Sequence, residues 1–231
     1  MIWATGDSGV GVATRGHSTC RMDAKLMLHR YLDKQRQALL AKLDGVDEHD
    51  VRWPMTPSGT NLLGLVKHVA SNELGYFGEV FDRPSNVPLP WFAEGAEINA
   101  DMWATAEESR EDIIALYQQA AAHADATIQA LSLESPGRVP WWPPDREQVT
   151  LQQIMVYVTA EIARHAGHAD IIRELIDGAA GDNDGNLPDQ TAQEWASYRS
   201  RLEEAATEAA QRVDGGQPQP AGGFTDLRAS P

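Results

Sequence analysis

The chain has 231 residues, enough to bury a sizeable core, and its composition is that of a soluble globular protein. Its 34 acidic residues outnumber its 19 basic residues and give a formal charge of −15. This charge disfavours binding to nucleic acid or to an anionic lipid surface. The longest apolar stretches fall well short of the ~20 residues that cross a bilayer, so we expect no membrane span.

Residues 1–21 are rich in glycine, serine and threonine, which predicts a flexible N-terminal extension. They lack the continuous apolar segment of a secretory signal, so we expect a cytoplasmic protein. The single cysteine, Cys20, lies in this extension and has no partner for an intramolecular disulfide. Any thiol chemistry would therefore need a thiol from outside the chain.

The helical periodicity of the apolar residues predicts one all-α domain over residues 22–212. Five helices are expected, at about 24–43, 61–81, 105–131, 150–177 and 191–212. Proline-rich loops at 83–91 and 136–144 separate them, because proline lacks the amide donor that a helix needs. Four long helices with one apolar stripe each are buried most economically as a four-helix bundle, with the fifth helix outside it or at a subunit contact. The proline- and glycine-rich composition of residues 213–231 predicts a disordered tail.

The predicted fourth helix carries polar side chains at the border of its apolar stripe. The stripe consists of Leu151, Ile154, Val158, Ile162, Ala169, Ile172 and Ile176. Glu161, His165 and His168 lie at its border rather than on the opposite face. Because Glu161 and His165 are four residues apart, both side chains can reach one metal ion. The same spacing is common in ordinary ion pairs, so the pair alone is weak support for a metal site.

A third metal ligand would have to come from another helix. His68 lies at the edge of the apolar stripe of the predicted second helix, where Gly64, Ser71 and Gly75 leave room above the imidazole. The alternative interpretation is that the glycines let two helices pack closely and that His68 hydrogen-bonds a neighbour. His68, Glu161 and His165 together are a more specific signal than any one of them.

These residues lie within a wider resemblance to the DinB-like superfamily of four-helix metalloproteins, close to its actinobacterial, mycothiol S-transferase-like members. It covers about Met22 to Arg201 and is carried, in order, by LDGVDEHDVRWPMTPSGTNLLGLVKHVASNELGYFGEVF, VPWWPP, EIARHAGHADIIRELIDG and EWASYRSRLEEAA. The resemblance implies three metal ligands: His68 on the second helix, and Glu161 and His165 on the fourth. A later position of the family motif, often glutamine, falls on His168, which the resemblance implies lies beside the ion rather than on it.

Three protein ligands leave one coordination position open, as in catalytic zinc sites. Because a metal-bound thiol loses its proton readily, the leading hypothesis is a metal-dependent thiol S-transferase that uses mycothiol or another small thiol against an electrophile, as in detoxification. Zinc is the expected ion, although this ligand set also accepts nickel, iron or manganese. The alternatives are a metal-dependent hydrolase and a non-enzymatic metal- or ligand-binding stress protein.

Tyr157 and His168 are candidate catalytic residues. They lie within about 20° of one another on the helical wheel and near Glu161, so either could orient a ligand or move a proton. The two could equally form an ordinary hydrogen bond at the bundle edge. Five tryptophans could line a pocket for an apolar electrophile, although loop anchoring is the simpler interpretation: Trp53, Trp91, Trp103, Trp141 and Trp142.

Two surface features complete the expectations. Spare apolar surface on the first and fifth helices makes a homodimer plausible. The residues concerned include Leu26, Leu39, Leu40 and Trp195. Arg52, Lys67 and Arg83 could assist an anionic substrate, but simple surface charge is the preferred interpretation.

Overall fold

The computed structural model of the chain describes residues 23–181 and 187–213. In these ranges the chain forms five α-helices: α1 (Ala24–Leu40), α2 (Leu62–Phe77), α3 (Arg110–Ala130), α4 (Leu151–Asp177) and α5 (Ala192–Val213). Two short strands, β1 (Pro136–Arg138) and β2 (Gln148–Thr150), pair antiparallel between α3 and α4. The predicted all-α class is confirmed. The predicted N-terminal extension, with Cys20, and the tail beyond residue 213 lie outside the described residues.

The ends of α4 follow from local sequence. Thr150 caps the first turn, because its side chain accepts from the backbone of Gln153 while the Gln153 side chain accepts from the backbone of Thr150. Gly178 ends the helix in the left-handed region, with φ of 81°, which a residue without a Cβ adopts without strain. The predicted start and end of this helix are therefore confirmed.

The third helix begins later than predicted. Residues 105–109 form a turn, and Ser109 caps α3 by accepting from the backbone N–H of Asp112. The predicted second helix also divides, because α2 stops at Phe77 and a separate 3-10 turn spans Glu79–Phe81. The β1–β2 hairpin was not predicted, since strands of three residues are too short to show an alternating pattern.

The helices α1 to α4 share one apolar core, in which α1 packs on α4 and α2 packs on both α3 and α4. Six members of the predicted α4 stripe are buried: Leu151, Ile154, Val158, Ile162, Ala169 and Ile172. Leu39 is fully buried, so it contributes no spare surface for a dimer, whereas Leu26 is exposed. The homodimer stays a prediction.

The described residues divide into two compact units, one within 23–181 and the other within 187–213. The first contains α1 to α4. The second contains α5, where the Trp195 and Tyr198 rings lie 5.9 Å apart on one side of the helix. The single domain over 22–212 stays a prediction. No helix within the described ranges is both long and apolar enough to span a membrane.

Candidate metal centre

Two contacts between aromatic rings show how α2 and α4 are aligned along their axes. The His68 ring on α2 meets the His165 ring on α4, with ring centroids 4.9 Å apart. Two turns further along α2, Tyr76 lies 5.0 Å from Tyr157, which is two turns before His165 on α4. Because the two contacts occur in opposite order along the two helices, α2 and α4 run antiparallel here.

Between these two contacts, each helix places one polar side chain at the intermediate turn. Asn72 lies on α2 with its Nδ2 2.9 Å from His68 Nε2. Glu161 lies on α4 with its Oε2 3.8 Å from His165 Nε2. Two imidazoles, one amide and one carboxylate therefore gather between α2 and α4.

The hydrogen bonds of His68 determine which ring nitrogen carries the proton. Nδ1 lies 2.5 Å from Asp101 Oδ2, and Nε2 lies 2.9 Å from Asn72 Nδ2. A carboxylate accepts and an amide nitrogen donates, so Nδ1 carries the proton and Nε2 offers its lone pair. Asp101 was missed by sequence reasoning, because it lies in an irregular loop 33 positions after His68.

His165 is buried, with 9% of its surface exposed. Its Nδ1 is also buried and has no hydrogen-bond partner among the described residues. Burial, followed by the nearby His68 and His168, lowers the pKa of His165 to about 4. The imidazole is therefore neutral at physiological pH, which is the form that binds metals.

The predicted ligands His68, Glu161 and His165 fit a divalent ion in two respects. Their donor types match those of catalytic zinc sites, and the unpartnered Nδ1 of His165 is the kind of buried polar atom that a bound ion can satisfy. Within the described residues, however, the groups whose ligand atoms all lie within 4.8 Å of one another are two other sets, namely His29 with Asp33 and Asp125, and Asp47 with His49 and Asp50. The three-residue ligand set stays a prediction.

The first of those other groups is an ion-pair network. Arg36 Nη1 lies 2.7 Å from Asp33 Oδ1 and 2.8 Å from Asp125 Oδ1, so both carboxylates already pair with a guanidinium. The second group is largely exposed, and its His49 ring stacks on Trp53 at 4.7 Å. Neither group carries the argument for a metal centre.

The two candidate catalytic residues of α4 have different surroundings. His168 is exposed, and its ring lies 5.6 Å from the His165 ring. Tyr157 packs against Tyr76 and Trp142. Burial and a hydrogen bond with Tyr76 raise the pKa of Tyr157. The suggested hydrogen bond between Tyr157 and His168 is wrong, because eleven positions at 1.5 Å each separate them by about 16 Å along the helix.

Three of the five tryptophans anchor loops to α2. Trp141 and Trp142, in the hairpin loop, both donate from Nε1 to Tyr76 Oη, at 3.4 and 3.2 Å. Trp91 donates to Ser71 Oγ at 3.0 Å. These contacts favour the anchoring interpretation, although 48% of Trp141 stays exposed beside the site.

The three basic residues interpreted as surface charge also hold loops. Arg52 donates to the carbonyls of Thr105 and Glu108, and Arg83 donates to Thr127 Oγ1. Lys67 is only 2% exposed, so the interpretation as surface charge is wrong for this residue. Its ammonium binds backbone carbonyls of the loop between α2 and α3.

The packing of α1 to α4 is that of a DinB-like helical protein. A family model described as Mycothiol-S-transferase matches residues 27–178, a range that contains α2, α3, α4 and nearly all of α1. The chain therefore belongs to the mycothiol-S-transferase family. The resemblance noted in the sequence is confirmed. A search of curated proteins finds no match to the chain.

Proposed function

We propose that this member of the family is a metal-dependent thiol S-transferase. His68, Glu161 and His165 hold one divalent ion, for which zinc is the proposed metal, and mycothiol is the thiol that attacks an electrophile. The observation that carries the proposal is the contact between the His68 and His165 rings, 4.9 Å apart, beside the Glu161 carboxylate. The family match supports the choice of thiol.

The proposed ligands suit an ion that keeps an exchangeable position. Two imidazoles and one carboxylate make three protein ligands, the number with which catalytic zinc sites leave a fourth position open. The Glu161 carboxylate also lowers the net positive charge of the loaded site. Bound there, the ion supplies a thiolate nucleophile at neutral pH, because a coordinated thiol loses its proton readily.

Neighbouring side chains have separate roles in the proposed reaction. The thiol loses its proton, its sulfur forms a bond to the electrophilic carbon, and the leaving group departs with its electron pair. His168, exposed beside His165, passes the proton to solvent. The Tyr157 phenol keeps its own proton, because its pKa is raised by burial and by Tyr76, and therefore acts as a hydrogen-bond donor.

The ligand assignment is tested by metal content. Untagged protein is analysed by mass spectrometry for zinc, nickel, iron and manganese, beside the variants His68→Ala and Glu161→Gln. We expect about one ion per chain in the wild type and its loss in both variants, as for a site with three protein ligands. Glu174→Gln, at an exposed position of the same helix, is the matched control and should keep the ion. Circular dichroism checks that every variant is folded.

The reaction class is tested by turnover. Mycothiol and a halogenated nitroarene are mixed with protein, and conjugate formation is followed before and after chelation and after metal is restored. A rate that needs both mycothiol and the ion supports the transferase. Hydrolysis of an ester or amide without any thiol would instead support a hydrolase, and a loaded protein with neither activity would contradict the proposal.

A further inference from the structure

The loop between α2 and α3 lies directly on α2 at residues 100–103. A Cβ added at Gly64 would lie 1.8 Å from the Met102 carbonyl oxygen, so a side chain cannot occupy this helix position while the loop keeps its place. Asn61, the N-cap of α2, donates from Nδ2 to the same carbonyl at 3.2 Å. The first turn of α2 therefore packs closely against this part of the loop.

Lys67 on α2 also binds the loop at residues 100–103. Its Nζ donates to the Ala100 carbonyl at 3.0 Å and to the Trp103 carbonyl at 2.9 Å, and it pairs with Glu108 at 2.8 Å. The ammonium also lies 4.2 Å from the centroid of the Trp91 ring. Because the two carbonyls lie on either side of Asp101 in the chain, the backbone that carries Asp101 is held at both ends.

Asp101 directs its carboxylate at His68. The Asp101 Oδ2 atom lies 2.5 Å from His68 Nδ1, and 13% of the Asp101 side chain is exposed. A carboxylate on one imidazole nitrogen fixes the tautomer and the orientation of the ring, and it makes the other nitrogen a stronger metal ligand. Here the other nitrogen is Nε2, which faces Asn72 and the space between α2 and α4.

We propose that Asp101 is a positioning residue, which holds His68 in the tautomer that presents the Nε2 lone pair to the metal centre, and that Lys67 and Gly64 keep Asp101 in place. The value of this arrangement for metal binding rests on the proposed function. The orientation of the His68 ring does not depend on the proposed function, because its contacts with Asp101 and Asn72 form without a metal ion.

The tautomer is measured on metal-free protein by long-range ¹H–¹⁵N correlation of the histidine rings, at a pH where they are neutral. His68→Ala identifies the His68 signals. We expect the Nδ1–H form in the wild type and a mixture of both tautomers in Asp101→Ala. Glu97→Ala removes an exposed carboxylate from the same loop and should leave the His68 signals unchanged. An unchanged tautomer in Asp101→Ala would overturn the inference.

Metal affinity is measured on the same proteins by competition with a chromophoric chelator. Asp101→Ala should bind zinc about 10–100-fold more weakly than the wild type, as is usual when the partner of a histidine ligand is lost. Asp101→Asn, which preserves the shape and removes the charge, should fall between the two. Helix content by circular dichroism shows whether either variant fails to fold.

The outcomes separate this inference from the proposed function. Wild-type affinity in both Asp101 variants, together with loss of zinc in His68→Ala, would overturn the role of Asp101 and leave the proposed function standing. A wild type that binds no divalent ion would contradict the proposed function, while the tautomer of the metal-free protein would still decide whether Asp101 positions His68.

Discussion

His68 on α2 and His165 on α4 meet edge to face, with ring centroids 4.9 Å apart and ring planes at 75°. Two imidazoles at this distance would repel one another if both were protonated. Burial and this effect lower the pKa of His165 to about 4 and keep the ring neutral. Its Nδ1 has no hydrogen-bond partner among the described residues. A bound ion would use His165 in the neutral form that its surroundings favour.

His165 and His168 on α4 should differ in their effect on metal binding. His165→Ala removes a proposed ligand and should weaken zinc binding by more than about 100-fold. Loss of a residue that only hydrogen-bonds a metal ligand already lowers metal affinity by about 10–100-fold. His168→Ala, three positions further on and exposed, is the matched control and should bind nearly as the wild type does. Chelator competition measures both. Equal losses in the two variants would make His168 a ligand as well.

Two helix glycines should respond in opposite directions to alanine. Gly64→Ala places a Cβ against the Met102 carbonyl and should lower the free energy of unfolding by about 1–3 kcal/mol, because backbone must move. Gly167→Ala meets no atom within 4 Å and should raise it by about 0.5–1 kcal/mol, because alanine loses less entropy in a helix. Urea denaturation measures both. A stabilised Gly64→Ala would show that the loop does not sit on α2.

The buried ion pair between α1 and α2 should be costly to break from one side. Arg36 Nε lies 2.8 Å from Glu73 Oε1, and both side chains are almost completely buried. Burial raises the pKa of Glu73, and Arg36 opposes that shift. Arg36→Met should therefore lower the free energy of unfolding by about 3–5 kcal/mol, because it leaves a carboxylate buried without its cation.

A double-mutant cycle and a surface pair serve as controls for this prediction. Arg36→Met combined with Glu73→Leu should cost less than the sum of the two single changes, since no unpaired charge is left at this contact. Arg199→Met, in an exposed pair with Glu203, should cost at most about 1 kcal/mol. Additive effects in the Arg36 and Glu73 cycle would contradict the predicted coupling.

Tyr157 should ionise late in an alkaline titration. Burial, then the hydrogen bond and charge of Tyr76, raise its pKa above the ordinary value of 10.0. The folded state therefore favours the protonated phenol, so this contribution to stability is full below pH 10 and is lost as the pH rises through the folded value. Tyrosinate absorbance should show a late phase that shrinks in Tyr157→Phe. Tyr31→Phe, which removes an exposed phenol, should leave that phase unchanged.

Several parts of the site followed from local sequence. The apolar period of α4 placed Glu161 and His165 on one border of a buried stripe, because a helical period depends only on residues a few positions apart. Thr150 and Gly178 bounded that helix for the same reason, since capping involves neighbouring backbone groups. Boundaries that depend on a loop, such as the start of α3 at Arg110, were less accurate.

The sequence by itself determined that the chain has five helices, which class of protein it belongs to, and which polar residues of α2 and α4 lie beside an apolar stripe. Helical periodicity and family motifs can be recognised in short segments of the chain. The family resemblance already implied that His68 and His165 come together. Only the tertiary structure decided that their rings meet edge to face and that Asp101 contacts His68. It also decided that Lys67 is buried beneath a loop instead of facing solvent. These contacts join residues far apart in the chain, and no local pattern encodes which loop folds back onto which helix face.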